Sequence, residues 1–547
     1  VTIARAIPLL TLLAGAAAAE SARYIGSKTC AGCHPRIYTS FRRTAMGRSM
    51  ALAAENAPGL AAGPVTMTHP RAERTLQVWR EGGAVYQSEA QPGVFVTKHQ
   101  LEYVMGCGVN GYTYLVRRGD RLFQAPLSYY SRAGRWDLSP GYESGDVAFS
   151  RPAAESCVVC HSGRARPVPG QTGRYQSPPF EELAIGCENC HGPGSAHAAA
   201  EGRGVHAPAS IVNPARLAPR LAEQICMYCH QGGDTRVLQP GKSYLDFRPG
   251  AWLDDTLAIG NLPATERDAD LLEHHAAMAA SRCFRASAGK LSCLTCHDPH
   301  SEPAAGQRAA YFRARCLGCH SRRSCTAPAV ARRARADDCT ACHMPKRQDP
   351  QITHSALTNH RIPRTADAVP SRPAPPTAEA GVIHVNPAPG GRPLPPLTLL
   401  RMYGELMERE PSLAERYVAL LSQLAGGLPD DPLVLAALGR KELREQANEQ
   451  AARHLARAIE RGFTGPAAFA DLAEALARQG RTEEAVTVLE RAIGIEPFSP
   501  VLQKTLILRL IDLRRYGQAK VAMERYVEVF PEDSFMRGLL GQVNPRP

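Results

Sequence analysis

The chain has 547 residues, 44% apolar but only 6% aromatic, with 17 cysteines and 18 histidines. That length predicts about three domains, and so few aromatics beside so many metal-binding side chains exclude an ordinary hydrophobic core throughout. The net charge of +12 is uneven: residues 398–547 hold 20 Lys and Arg against 21 Asp and Glu, leaving 44 against 31 in residues 1–397.

Residues 1–19 carry Arg5 ahead of an apolar run from Ala6 to Ala19, with Ala17 and Ala19 at an A-x-A cleavage position. This pattern predicts a secretory signal peptide cut before Glu20. An uncleaved anchor is the alternative, but a run of 14 residues falls short of the about 20 that a span needs. No later stretch is long and apolar enough to cross a bilayer. The mature chain is therefore expected in a periplasmic or otherwise exported, oxidising compartment, without a transmembrane span.

Residues 20–365 form the next expected domain, and they repeat one motif. CxxCH occurs as Cys30/Cys33/His34, Cys157/Cys160/His161, Cys187/Cys190/His191, Cys226/Cys229/His230, Cys293/Cys296/His297, Cys316/Cys319/His320 and Cys339/Cys342/His343. The spacing is that of c-type haem attachment: two thiols bind the two vinyl groups and the adjacent histidine is the proximal iron ligand. Zinc knuckles or a disulfide framework also use CxxC pairs, yet neither would place His directly after each of seven pairs. Seven covalently bound haem c groups in so short a chain must lie close together, which implies electron transfer between them. Their propionates offset the surplus arginines, so no nucleic-acid partner is expected. Cys107, Cys283 and Cys325 are left over, and the sequence does not pair them.

Between the first and second motifs, about 64–145 reads as a β-rich insertion. TLQVWREGGAVYQ and YTYLVRRGDRLFQAPLSYY alternate polar and apolar residues around glycine turns, predicting a small antiparallel sheet. Trp136, Tyr112 and Tyr114 are expected to pack within it.

Distal iron ligands must come from the histidines outside the motifs. His384 and His454 are expected to face solvent, which leaves His69, His99, His197, His206, His274, His275, His300, His354 and His360. His69, His197, His275, His300, His354 and His360 rank first. In CLTCHDPH only Asp298 and Pro299 separate His297 from His300, too little chain to reach round a porphyrin. His300 is therefore expected to ligate a neighbouring haem, and His197, six residues after His191, invites the same reading. Nine candidates for seven irons allow mostly bis-His coordination.

Residues 366–397 are dense in proline and read as a semi-rigid linker. From 398 to 540 the period becomes 34: Leu438/Gly439, Ala451, Leu455 and Ala458 recur as Leu472/Ala473, Ala485, Leu489 and Ala492. These are tetratricopeptide (TPR) positions, predicting an α-helical solenoid with a groove for a protein partner; a spacer or dimerisation element is the alternative.

The runs YIGSKTCAGCH, YVMGCGVNGYTYLV, CENCHGPGSAH and SRCFRASAGKLSCLTCHDPH resemble multihaem cytochrome c proteins with a cytochrome c-554/c-prime-type domain and C-terminal TPR repeats. Cys107 stands where that likeness leads us to expect serine. The resemblance implies periplasmic electron transfer between a redox protein donor and acceptor, and supports His197, His275 and His300 as distal ligands. The expected fold is mainly α: a haem-packed multihaem cytochrome domain with the β insertion, then the solenoid. The competing expectation is a multihaem oxidoreductase acting on a small nitrogen or sulfur compound at one five-coordinate haem; a binding module with structural haems ranks third.

Overall fold

The computed structural model describes residues 22–60, 63–71, 73–143, 149–263, 273–320, 325–346, 358–364 and 381–543. The expected signal peptide and His354 lie outside them. None of the helices among the described residues is long and apolar enough to cross a membrane.

The N-terminal part is strand-rich, more so than "mainly α" anticipates. Eight strands build one antiparallel sheet: β1 (Met50–Leu52), β2 (Val65–Thr68), β3 (Thr75–Glu81), β4 (Ala84–Gln91), β5 (Phe95–Val96), β6 (His99–Met105), β7 (Thr113–Arg118) and β8 (Arg121–Gln124). Its main order is β2-β3-β4-β6-β7-β8, with β1 on β6 and β5 on β4. The β3–β4 turn is Gly82–Gly83 at φ 58° and 83°, between the paired Glu81 and Ala84. Two successive positive φ values are what a two-residue type I′ turn needs, and glycine supplies them without strain. Alternation along β7 sends Tyr114 and Val116 into one core with Leu76, Val78 and Phe123, and Leu115 into another with Leu122, Tyr175 and Phe180. Trp136 packs on Tyr114 with ring centroids 5.1 Å apart. The second core also takes Val158, inside the second motif, so the sheet supports that motif directly.

Two short hairpins follow, β9 (Leu127–Tyr130) with β10 (Arg135–Leu138), and β11 (Arg164–Pro167) with β12 (Tyr175–Glu182). A third small sheet joins β13 (Thr235–Leu238), β14 (Leu257–Asn261) and β15 (Ile383–His384). The last strand corrects the linker reading for residues 381–397. Val382 is buried, and Asn386 bonds both Ile259 N and Leu257 O at 2.8 Å. His384, expected in solvent, sits 3.0 Å from Asp254.

Among the described residues, nine helices run from Pro396 to Val543. Those at Pro432–Arg444, Pro466–Arg478 and Pro500–Asp512 each open on proline, which suits the first helical position because its missing N–H would be unpaired there. Ala451, Leu455, Ala458 and their counterparts Ala485, Leu489 and Ala492 are buried, so the 34-residue spacing read in the sequence is the seam of the stack. A Cβ on Gly439 would lie 2.5 Å from Leu455, which explains glycine at that helix contact.

The array is folded back on the cysteine-rich part. Helix Pro396–Leu406 packs Met402 and Tyr403 on Val237 and Ala258. Loops one repeat apart then touch the N-terminal region: Thr464 bonds Gly170 O (2.7 Å), Phe498 meets Phe123 (5.4 Å), and Glu532 O accepts from Arg74 (3.2 Å). Arg121 pairs with Glu496 at 2.9 Å, nearly dry on both sides.

Candidate functional site

Each motif is close to one helical turn. The amide of His34 donates to Cys30 O (2.9 Å), His191 to Cys187 O (3.0 Å), His297 to Cys293 O (2.9 Å) and His320 to Cys316 O (2.9 Å). The fourth motif ends helix Pro219–His230, the seventh fills helix Cys339–His343, and the second closes with His161 N–H on Val158 O at 3.0 Å. Positions i, i+3 and i+4 of a helix share a face. CxxCH therefore turns both thiols and the imidazole to one side.

The motifs also meet one another. Thiols of different motifs lie within reach of one another: Cys30 and Cys187, Cys160 and Cys229, Cys226 and Cys293, and Cys316 and Cys339. The neighbouring thiol of Cys30 lowers Cys187 to about 6, and that of Cys229 lowers Cys160 to about 7, because each favours its partner sulfur as thiolate. None of the seventeen cysteines, Cys107, Cys283 and Cys325 included, is in a disulfide.

Not every cysteine expected to hold a haem is drawn inward. Cys33, Cys157 and Cys319 are exposed, and Cys342 is half-buried with its sulfur 3.8 Å from Arg335 Nη1. The cause is local. Helix Ser27–Ala31 stops before Cys33 and helix Arg308–Leu317 before Cys319, so each lies in the turn that leaves its helix. Cys342 stays within its helix but is met by an arginine rather than by another thiol. Cys190 and Cys229, the second cysteines of the third and fourth motifs, are half-buried, and burial pushes Cys190 up to about 11.

Several histidines face one another, and His274 also meets His360 at 4.6 Å. Ring centroids of His34 and His197 are 6.4 Å apart with planes 12° from parallel; those of His191 and His300 are 5.9 Å apart at 10°. His297 and His360 stand at 6.4 Å, and His230 and His274 at 5.5 Å with nearly perpendicular rings. Two imidazoles on opposite faces of one iron, with Fe–N bonds of about 2 Å, would have centroids about 6 Å apart. His191, His343 and His360 each hold Nδ1 against a backbone carbonyl, of Val212, Pro363 and Thr358, at 2.8–2.9 Å. A proton on Nδ1 leaves the Nε2 lone pair for a metal. Desolvation lowers the pKa of His191, His230, His297 and His360, and takes His274 to about 3, which favours the neutral imidazole.

These residues fit haem c in a further respect. Among the described residues from 273 to 364, which hold three motifs, Met278 is the only buried hydrophobic. A stretch that folds around so little apolar side chain needs another source of core.

Two expected ligands sit elsewhere. His275 bonds the buried Glu223 at 3.1 Å, while its neighbour His274 faces His230. Adjacent helical residues lie about 100° apart around the axis, so only one of the two can turn to His230. His69 has both nitrogens engaged, Nε2 with Tyr142 O and Nδ1 accepting from the Arg71 amide, each at 3.1 Å, which leaves none for iron. His99 packs on Phe149 at 4.2 Å and His206 is exposed beside Glu201. His454, read as solvent-facing, bonds Glu442 at 2.7 Å.

Sequence reasoning also passed over Glu188, whose carboxylate joins three backbone segments; its only signal was its place between the cysteines of CENCH.

Residues 142–192 match the family described as cytochrome c554 and c-prime, and residues 286–325 match the doubled CXXCH motif. The first segment contains the second and third motifs, the other the fifth and sixth, supporting covalently bound haem c at those sites. No curated protein matches the chain. Similar solved structures include YrrB, a TPR protein with an unusual peptide-binding site, at 14% identity over 27% of this chain and 75% of that one, TM-score 0.24. A thermophilic TPR protein in Thermus thermophilus is 18% identical over 27% of this chain and 81% of its own, TM-score 0.23. MamA is 17% identical over 25% and 80%, TM-score 0.23. The repeat architecture itself rests on the 34-residue spacing and its buried seams.

Proposed function

We propose that the chain is a periplasmic heptahaem c-type cytochrome that passes electrons between protein redox partners through closely packed, mostly bis-His centres. Its helical repeats serve as a protein-docking element. Bound haem supplies a reversible one-electron couple at each motif. The chain's residues do the rest: paired cysteines retain the cofactor, and histidines orient it from both faces.

The observation that carries this reading is the crossing of ligands between motifs. His197 follows the third motif and faces His34 of the first; His300 follows the fifth and faces His191 of the third. Each short segment thus offers a proximal ligand to one centre and a distal ligand to its neighbour, which keeps successive centres within a few residues of chain. With two histidines per iron and no methionine ligand, low potentials are expected.

His300→Ala tests it. Intact mass should still show seven haems, because Cys293, Cys296 and His297 are untouched, while electron paramagnetic resonance (EPR) should show one low-spin ferric centre, the third, turned high spin. A wholly low-spin spectrum would remove His300 as a ligand. A high-spin centre that binds cyanide in the unaltered protein would instead favour the oxidoreductase reading.

A further inference from the structure

Glu188 lies inside the third motif, between Cys187 and Cys190, and is only 6% exposed. Its carboxylate is held by backbone amides from two other segments. Ile25 N–H is shared between Oε1 and Oε2 at 3.0 Å each, Gly26 N–H donates to Oε2 at 2.7 Å, and Gly194 N–H donates to Oε1 at 2.7 Å. Ile25 and Gly26 lead directly into helix Ser27–Ala31, which carries Cys30. Gly194 leads into helix Ser195–Gly202, which carries His197. The segments are latched again nearby: Arg23 N–H donates to Ser195 Oγ at 2.7 Å, and Ser27 Oγ accepts from Cys187 N–H at 2.9 Å.

We infer that Glu188 is the positioning residue of the first centre: one buried carboxylate fixes the segments bearing His34 and His197 relative to each other, and places a negative charge beside that centre. The inference rests on the bis-His reading above. Both oxygens are used, so an acceptor cannot be lost without leaving a buried amide unpaired. An isosteric amide would aim a donor at a donor. A buried anion near an iron favours the ferric state, so its removal raises the potential.

The test uses the full haem-loaded chain. His197→Ala comes first, because it identifies the EPR signal of the first centre; if no low-spin signal is lost, the ligand reading fails there, independently of Glu188. Given that signal, Glu188→Gln should keep the haem count by mass yet displace the same signal or turn it high spin, and raise that centre's midpoint potential. Glu188→Asp, which keeps both acceptors and the charge, should shift the signal less and hold the potential. An unchanged signal and potential in Glu188→Gln, beside a working His197→Ala, overturns the inference. If the Gln variant does not accumulate, Glu188→Asp decides alone: a displaced signal supports the role and an unchanged one overturns it.

Discussion

Residues 273–364 and the repeats from Pro432 to Val529 are both made of short helices, but they are held together differently. In the repeats, alanines and leucines at fixed spacing close every seam, with Ala451, Leu455, Ala485 and Leu489 fully buried. In the motif-bearing stretch Met278 alone is a buried hydrophobic among the described residues, and the close contacts are imidazole on imidazole and thiol on thiol. One region carries its core in its sequence, while the other reserves the space for a partner that must be attached. Stability in the first is a matter of side-chain volume; in the second, of ligation.

The largest effect should come from breaking the covalent attachment of a cofactor there. Cys296→Ser should lower the retention of the fifth haem and raise proteolytic cleavage within 273–364 by an order of magnitude or more, while 396–543 stays protected. Full haem stoichiometry by mass with unchanged cleavage would erase the distinction between the regions. The converse change is Leu455→Ala, which deletes a buried side chain from the seam. It should cost about 2–5 kcal/mol of repeat stability in urea, read by circular dichroism, and leave the visible haem spectrum untouched. A simultaneous loss of haem absorbance would mean that the two regions unfold as one.

The join between the repeats and the N-terminal sheet should respond more mildly to pH. Burial pushes Glu532 up to about 7, with its own backbone amide, Arg74 and Arg118 opposing the rise and Glu89 adding to it. A carboxyl with a raised folded pKa holds its proton while the unfolded chain releases one. Its stabilising effect is therefore complete below the unfolded value near 4.5 and declines until pH passes about 7. The native protein should lose about 2–3 kcal/mol between pH 5 and 8 relative to Glu532→Gln, read from paired urea midpoints. Parallel pH profiles would show that this carboxyl does not titrate at the join.

The sequence made the regular features legible because they depend on local spacing. The Gly82–Gly83 turn, the repeat seam and the reach of His300 follow from periodicity and chain length. What it left hidden depends on orientation or on distant chain. His274 and His275 are equally plausible as letters, and only the rotation of helix His274–Ala280 decides which faces His230. Seven identical motif spacings likewise conceal that Cys33 and Cys319 open to solvent while Cys190 and Cys229 are half-buried, a difference set by what packs on each turn. Prolines around His384 suggested a semi-rigid linker, yet strand pairing with Gly260 builds that segment into a sheet. Glu188 was marked only by its place inside CxxCH, which has no meaning until Ile25, Gly26 and Gly194 close on it.

The contacts at Thr464, Phe498 and Glu532 recur at the repeat interval, but each meets a different surface: Gly170, Phe123 and Arg74. Repeat arrays commonly lengthen and shorten by whole units, since each unit needs only its neighbours. Here the opposing surface acts as a template with one dissimilar socket per unit. A duplicated repeat would preserve every helix contact and still deliver the wrong loop to each socket beyond it. Copy number is thus written outside the array, and this helical stack has given up the freedom to grow that its architecture otherwise confers.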